Sequence, residues 1–369
     1  MPTSKNKYNA LIKEIRALVT NARHSIAKSI NIELLLTYWH IGNLIVEKEH
    51  FEKFDEVSVR EMLLDISKQL SRDLGKGFSR SQLTYMRLFY LQFPSFNLSE
   101  NFGVTVSHQK ALTRKSGVTV SHQKRKNAAD KIKLAVSDQL SWSHYYELLK
   151  CSNAMEIGFY QQTAIHEGWS VRELRRQIDT ALFERIALSK NSKNVMMLAR
   201  KGHIIKKPSD ITTDPYILEF LNLPEHNSYT EKQLEQRIID NIQQFVLELG
   251  KGFTFVARQF RITLNNKHYR VDLVFYHRIL RCFVLIDLKI KSVAHNDIGQ
   301  MNLYLNYFET EQNEVGDNKP IGIILSKNKD DITVEYAIRG ITNKIFVSKY
   351  QLYLPDKKIL KRKVEEIIG

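Results

Sequence analysis

The sequence has few cysteines, no long apolar run and no signal-peptide pattern. Each of these features excludes a class of protein. The only two cysteines, Cys151 and Cys282, lie far apart in apolar surroundings. They exclude a disulfide framework and a cysteine-rich zinc site. No apolar run approaches the roughly 18 residues that a membrane span needs, and the N-terminus lacks the pattern of a signal peptide. These absences predict a cytoplasmic protein that has no membrane partner.

The signature motifs of several enzyme classes are missing as well. The sequence contains no Gly-x-Ser-x-Gly elbow, no Walker A loop and no His-Glu-x-x-His, and none of its 12 histidines forms a recognisable ligand pair. Serine hydrolases of the elbow type, P-loop NTPases and zinc peptidases are therefore not favoured.

Acidic residues are outnumbered by basic ones. The 369 residues include 55 Lys and Arg against 40 Asp and Glu, which gives a formal charge of +15. Residues 1–200 hold 30 basic and 19 acidic residues, whereas residues 201–369 hold 25 and 21. The length suggests two globular domains, and the positive charge of the first half suits an anionic polymer such as nucleic acid.

The strongest concentration of positive charge lies in residues 101–133. This segment has eight basic residues and one acid, and it contains the octapeptide Gly-Val-Thr-Val-Ser-His-Gln-Lys twice, at 103–110 and at 117–124. We interpret the repeat as a tandem duplication in a tolerant loop. The basic residues predict either a contact with a phosphate backbone or an ordinary solvated loop.

The first half of the chain has helical periodicity throughout, and we predict an all-α domain over 8–190, a linker over 191–215 and a second domain over 216–369. A helix over 57–74 ends at a glycine turn, and Ser79 begins another helix that continues to Gln92. This outline resembles a helix-turn-helix that binds DNA, and an ordinary helical hairpin is the alternative. In the DNA-binding version the second helix offers four side chains to a groove: Arg80, Gln82, Tyr85 and Arg87.

The second domain has a different periodicity, in the order α-β-β-β-α-β. This order predicts a mixed sheet flanked by helices, and hence an α+β fold for the whole chain, with a helical domain followed by an α/β domain. The predicted elements are a helix at 231–249, strands at 253–264, 268–276 and 281–290, a helix at 296–309 and a strand at 321–326.

One carboxylate of the helix at 231–249 is predicted to point at the core. At 100° per residue the apolar side chains of this helix span an arc of about 140°, and Glu235 lies inside that arc. Glu231 lies one turn earlier in the same arc. At a helix start its simpler role is capping.

Two further carboxylates face each other on apolar strands. The segments 269–276 and 281–290 have the pattern of a hairpin that turns around Ile279 and Leu280. This register sets Asp272 opposite Asp287, with Cβ atoms about 5 Å apart. Lys289 follows two residues after Asp287 and shares its face of the strand. Facing carboxylates that lose hydration need a cation or a shared proton.

Metal-assisted hydrolysis of a phosphodiester is the chemistry that uses this set of residues. Asp272 and Asp287 would hold Mg²⁺, which prefers oxygen ligands, and Glu235 would be an added ligand. Mn²⁺ could replace Mg²⁺. A bound metal polarises the phosphorus centre and acidifies the attacking water. Lys289 would orient or deprotonate that water. The alternative is a hairpin whose charges form only a structural salt bridge.

Gln300 and Tyr304 form a weaker signal on the helix after the Asp-x-Lys segment. Their spacing of four residues sets both on one face, where they could contact substrate phosphate or bases. A plain helix surface explains the same spacing equally well.

Together these residues resemble the PD-(D/E)XK nucleases, which share a restriction-endonuclease-like fold. Asp272 is followed after fourteen residues by Asp287-Leu288-Lys289, and Gln300-Met301-Asn302-Leu303-Tyr304 resembles the Gln-x-x-x-Tyr element of RecB-type nucleases. The sequence departs from the motif at Val271, where the motif has Pro, and at Asp287, which is often Glu. Further segments resemble the YhcG-like family over nearly the whole chain, among them Trp39-His-Ile-Gly42, Leu140-Ser-Trp-Ser-His144, Ala257-Arg-Gln259 and Val271-Asp-Leu-Val-Phe-Tyr276.

The resemblance implies a bacterial, cytoplasmic, Mg²⁺-dependent nuclease that acts on DNA and is joined to a helical DNA-binding or interaction domain. It implies Asp272, Asp287 and Glu235 as metal ligands, Lys289 as the residue that positions water, and Gln300 and Tyr304 as contacts to substrate. It also leaves room for a homo-oligomer. The alternative is a DNA-binding or scaffold protein that retains a nuclease fold without turnover.

Overall fold

The structure is a computed structural model, and it describes residues 8–97, 134–188, 192–223, 229–328 and 330–368. The chain forms two compact units, which meet in sequence between Arg175 and Arg176. The basic segment 101–133, with both copies of the octapeptide, lies outside the described residues. None of the described helices is both long and apolar enough to cross a membrane.

The first unit is built from helices, as the sequence predicts. Among its described residues, a short parallel pair of strands departs from an all-α fold. The two strands lie on either side of the undescribed segment, and sequence periodicity cannot reveal strands of three residues. The elements are α1 (Asn9–Glu52), α2 (Glu56–Asp73), α3 (Arg80–Gln92), β1 (Ser95–Asn97), β2 (Ala135–Ser137), α4 (Trp142–Leu148), α5 (Ala154–Glu167) and the start of α6 (Val171–Asp179).

The helix pair α2 and α3 has the bounds that the sequence predicts. Asp55 caps α2, and the hydroxyl of Ser79 accepts a hydrogen bond from the backbone N–H of Gln82 at 3.3 Å to cap α3. Helix α3 buries one face against α1. Gly42 of α1 permits this close approach, because a Cβ there would overlap the backbone carbonyl of Met86.

The second unit contains a six-stranded sheet in the order β3-β8-β7-β6-β5-β4. Strands β4, β5 and β6 are antiparallel, whereas β6, β7, β8 and β3 run parallel, so the predicted mixed sheet is confirmed. The elements are α7 (Leu182–Leu188), α8 (Ser192–Lys201), β3 (Tyr216–Ile217), α9 (Glu231–Asp240), α10 (Ile242–Leu249), β4 (Phe253–Leu264), β5 (Lys267–His277), β6 (Cys282–Ser292), α11 (His295–Glu311), β7 (Ile321–Asn328), α12 (Asp331–Ile338), β8 (Lys344–Gln351) and α13 (Lys357–Ile368).

Helices cover both faces of this sheet. Helices α9 and α10 bury Leu234, Ile238 and Phe245 in one apolar core. Helix α11 buries Met301 and other apolar side chains in a second core. The continuous apolar runs of β6 and β7 follow from burial on both faces.

Several details differ from the predictions, which did not include β3 and β8. The helix expected over 231–249 is two helices, because the backbone leaves the helical conformation at Asn241 between α9 and α10. The expected linker 191–215 contains helix α8 and a 3₁₀ turn at Pro208–Asp210.

A buried ion pair attaches α7 to the nuclease-like sheet unit. Arg185 is fully buried, and its Nη1 lies 2.7 Å from Oε1 of Glu248 on α10. The same carboxylate accepts a hydrogen bond from the backbone N–H of Ile217 at 2.8 Å, and Arg176 approaches its other oxygen at 3.2 Å. Since a buried carboxylate must be paired, residues 176–188 belong to the second unit, earlier in the chain than the predicted boundary at 190.

Candidate active site

The hairpin of β5 and β6 has the register that the sequence predicts. Leu273 pairs with Ile286 and His277 with Cys282, which leaves residues 278–281 as the turn. Asp272 and Asp287 each lie one residue beyond the last regular pair, on the side away from the turn. Both carboxylates therefore belong to the same end of the paired segment.

Asp287 is buried beside the ammonium group of Lys289. The carboxylate is 4% exposed, and its Oδ2 lies 2.7 Å from Nζ of Lys289. Burial raises the pKa of Asp287 to about 7, and the negative charge of Asp272 acts in the same direction, while Lys289 opposes both. A carboxylate in this condition gains from any cation that comes within reach.

Lys289 is held between two carboxylates. Besides Asp287, Oδ1 of Asp297 lies 3.7 Å from its Nζ. Burial would lower the pKa of Lys289, but the attraction of Asp287 and Asp297 outweighs it, so the pKa is raised above its ordinary value. In this state Lys289 is protonated at neutral pH, which favours orienting water and neutralising charge over taking up a proton.

Asp272 is fixed by two hydrogen bonds. Its Oδ2 accepts from the backbone N–H of Leu288 at 2.8 Å, and its Oδ1 accepts from the side-chain amide of Gln259 at 2.9 Å. Burial raises the pKa of Asp272, and these donors together with Lys289 act against the increase. The carboxylate thus stands in a set position next to the Asp-x-Lys segment.

Gln259 is the site residue that reasoning from periodicity and charge misses. Its Nε2 donates to Asp272 and also to Oε2 of Glu235, each at 2.9 Å. Its φ of 47° lies in the left-handed region, although it stands inside strand β4. That conformation costs a non-glycine residue on the order of 1–3 kcal/mol and is characteristic of functional sites. The register of β4 with β5 shifts between Phe255 and Ala257, just before Gln259. No sequence pattern predicts this shift.

Glu235 points inward, as predicted. It is 5% exposed, and its Oε1 is buried without a hydrogen-bond partner, while Nε of Arg258 lies 3.5 Å away. Burial and the charge of Asp272 raise the pKa of Glu235. A buried oxygen in this state has a lone pair that a cation could use.

Glu231 has a different role from the expected one. The cap of α9 is Thr230, whose hydroxyl accepts from the backbone N–H of Gln233 at 3.2 Å. Glu231 instead accepts a hydrogen bond from the backbone N–H of Ile290 on β6 at 3.3 Å. Its charge also acts on the pKa of Asp272, so it adds a fifth carboxylate to the surroundings of the site, after Asp272, Asp287, Asp297 and Glu235.

Gln300 and Tyr304 contact each other, as their spacing predicts. The side-chain amide of Gln300 donates to the hydroxyl of Tyr304, which donates in turn to the backbone carbonyl of Arg270 at 3.0 Å. Tyr304 is fully buried, and burial together with the charge of Asp287 raises its pKa to about 12. Tyr304 therefore holds the strand that carries Asp272, and Gln300 is the more accessible of the two.

The other predicted contacts to substrate lie in the first unit. Arg80 is exposed at the start of α3, and Gln82 is half-buried two residues later in the same turn. Arg87 is engaged by Glu49 of α1, whose carboxylate accepts from Nη2 at 2.8 Å and from Nε. This pairing gives Arg87 a role in joining α1 to α3.

The donor set fits a hard cation. Asp272, Asp287 and Glu235 offer carboxylate oxygens. Oε1 of Glu235 lacks a hydrogen bond, and the positive charge near the three carboxylates comes from Lys289 and Arg258 in this structure. Among the described residues no group of three or more acidic, histidine or cysteine side chains is arranged so that it could already hold a metal ion. Mg²⁺ takes part of its shell from water and from substrate phosphate.

Comparison with known proteins agrees with the fold. Residues 209–365 match the model of the YhcG PDDEXK nuclease domain, and residues 14–185 match the model of the DUF1016 N-terminal domain. YhcG of Escherichia coli (strain K12) is 34% identical over 356 residues, which cover 96% of this chain and 92% of that protein. The second unit thus carries a nuclease domain of the PD-(D/E)XK class. The chain as a whole belongs to the YhcG family.

Two solved structures are also similar over part of the chain. The crystal structure of a repair endonuclease from Pyrococcus abyssi is 18% identical, covers 36% of this chain and 50% of that chain, and has a TM-score of 0.26. The structure of an EndoMS complex with double-stranded DNA is 14% identical, with 37% and 51% covered and a TM-score of 0.25. The chain therefore spans about half the length of these proteins.

Proposed function

We propose that the protein is a cytoplasmic, metal-dependent nuclease that hydrolyses phosphodiester bonds of DNA at Asp272, Asp287 and Lys289. One observation carries the proposal: Asp287 is nearly inaccessible and has a raised pKa, yet it faces a second carboxylate across the hairpin. A purely structural hairpin gains nothing from buried like charges. A site that takes up a divalent cation requires them.

Each side chain then has a defined task. Asp272 and Asp287 would hold the ion, and Glu235 would bind it directly or through water. When bound, Mg²⁺ or Mn²⁺ would polarise the phosphoryl group and acidify a water. Lys289, protonated and anchored by Asp297, would orient the attacking water and neutralise charge that develops on phosphoryl oxygens. Gln300 would contact the substrate backbone, with Tyr304 holding it.

The helical unit would bind the DNA. Arg80 and Gln82 on α3 are the candidates for contacts to a groove, and Arg87 would join them only by leaving Glu49. The basic segment 101–133 would add contacts to phosphates. The first unit, which ends at Arg175, would capture the nucleic acid, and the second unit, which begins at Arg176, would cut it.

Calorimetry separates this proposal from a DNA-binding scaffold without turnover. Mg²⁺ or Mn²⁺ would be titrated into the full chain, into Asp272→Ala and into Asp240→Ala, an exposed aspartate of α9 outside the site. We expect binding to wild type and to Asp240→Ala and its loss in Asp272→Ala. Tight DNA binding that neither metal nor Asp272→Ala alters would support the scaffold instead.

A further inference from the structure

The first half of α1 exposes a continuous apolar face. Every residue from Asn9 to Ala27 is exposed, and burial begins only near Ile32. Six apolar side chains, each between 45% and 69% exposed, form what we call the N-terminal face of α1: Leu11, Ile15, Leu18, Val19, Ile26 and Ile30.

These side chains share one side of the helix. At 100° per residue they fall within an arc of about 120°, which is the width of a core-facing stripe. The segment from Asn9 to Ile30 is about 33 Å long at 1.5 Å per residue. An exposed helix of this length is marginal in water by itself, because helical stability in proteins comes mostly from packing.

The basic side chains of this part of α1 lie outside the N-terminal face. Lys13, Arg16, Arg23 and Lys28 all project outside the apolar arc, while the positions within it between the large side chains are small, such as Ala22 and Ser29. Small residues at the centre of a stripe let another helix approach closely. Cations at its borders stay hydrated and screened, so they do not prevent two copies from meeting.

We propose that this face binds the same face of a second copy of the chain, so that the protein is a homodimer joined through α1. The six side chains and the small residues between them offer on the order of 700 Å² per chain, within the roughly 600–1,000 Å² that each partner of a stable interface contributes. One identical stripe on both partners is self-complementary, as a two-fold interface requires. The dimer would bring two nuclease units into one particle, whether or not those units cut DNA.

Sedimentation equilibrium of the full chain tests the dimer. Wild type is expected at twice the 43.1 kDa of the chain. The variant Ile15→Glu/Ile26→Glu places charge in the middle of the face and is expected to raise the dissociation constant at least a hundredfold, which leaves 43.1 kDa particles at micromolar concentration. The control Ala17→Glu/Ala27→Glu adds the same charge to the opposite, exposed side of the same helix and is expected to stay dimeric.

Circular dichroism and thermal melting accompany the measurement. Both variants are expected to keep the folded units, because the substituted side chains do not belong to the core of the chain itself. A monomeric wild type at tens of micromolar would overturn the proposal. A dimer that survives Ile15→Glu/Ile26→Glu would do so too, and so would one that the control dissociates.

Discussion

The carboxylate of Asp272 accepts a hydrogen bond from the backbone N–H of Leu288 at 2.8 Å. Leu288 lies between Asp287 and Lys289, and the regular pairing of the two strands has ended two residues earlier, at Ile286. A side chain thus takes the place of a ladder hydrogen bond. This hydrogen bond positions Asp272 next to the Asp-x-Lys segment without a bound ligand.

The raised pKa of Asp287 predicts a pH dependence of stability in EDTA. Its pKa is about 7 in the folded protein against an ordinary value of 3.8, so the group favours the folded state while protonated, and this contribution is lost as the pH rises from about 4 through 7. Asp287→Asn abolishes the ionisation. We expect the melting temperature of this variant to match wild type near pH 4 and to exceed it by about 5 °C at pH 8.

Exposed Asp240→Asn, on α9 and outside the site, serves as the control. The difference from wild type should be small and independent of pH. If Asp287→Asn behaves in the same way, Asp287 is not titrating near neutrality. Added Mg²⁺ should reverse the order at pH 8 by stabilising wild type alone.

Gln259 holds two carboxylates in position, so its loss should disturb the metal site without disturbing the fold. Gln259→Leu keeps the approximate size and removes the donor to Glu235 and Asp272. We expect metal affinity by calorimetry, and cleavage, to fall about 10–100-fold. Gln243→Leu makes the same replacement at an exposed position of α10 outside the site and should leave both unchanged.

Retention of full metal affinity in Gln259→Leu would show that the left-handed residue serves the strand and not the site. Gln259→Gly gives the complementary information, because glycine adopts a φ of 47° without strain. It should stabilise the backbone and still bind metal weakly.

The buried pair of Arg185 and Glu248 predicts where the nuclease unit begins. Arg185→Met leaves the carboxylate of Glu248 without its closest cation, a change that costs about 3–5 kcal/mol at buried sites. Residues 209–369 lack Arg185 and should unfold at lower temperature than residues 176–369. Thermal melting of both fragments measures this, with exposed Arg237→Met as a neutral control. Equal melting temperatures would contradict the boundary at Arg176.

The basic segment predicts the salt dependence of DNA binding. Deletion of residues 102–126 removes six basic residues and no acid. If these residues touch phosphates, the slope of log affinity against log salt in EDTA should become shallower by up to about 5, at about 0.9 per contact. A replacement of equal length with Gly and Ser should behave like the deletion. An unchanged slope would mean a solvated loop.

Local patterns made some parts of the site predictable. The register of Asp272 and Asp287 follows from a four-residue turn and strand alternation, and the inward position of Glu235 follows from helical periodicity. Gln259 depends on a register shift within β4, and the partner of Arg185 lies 63 residues away in sequence. Such positions are decided by tertiary packing.

Short or weakly patterned elements escaped prediction for a related reason. The break at Asn241 interrupts one helical pattern without changing its apolar period. Strand β3 has two residues, and it is defined only by its parallel neighbour β8. Neither feature has a signal that stands out from its surroundings.

Cleavage of DNA by matched lysine variants tests the central claim most directly. Wild type, Lys289→Ala and Lys291→Ala, an exposed lysine two residues further on β6, would be incubated with supercoiled, nicked, single-stranded and branched DNA, with Mg²⁺ or with EDTA. We predict that wild type and Lys291→Ala cut at least one of these forms with Mg²⁺ only, and that Lys289→Ala cuts none. Survival of every form with wild type, or equal cutting by Lys289→Ala, would contradict the account.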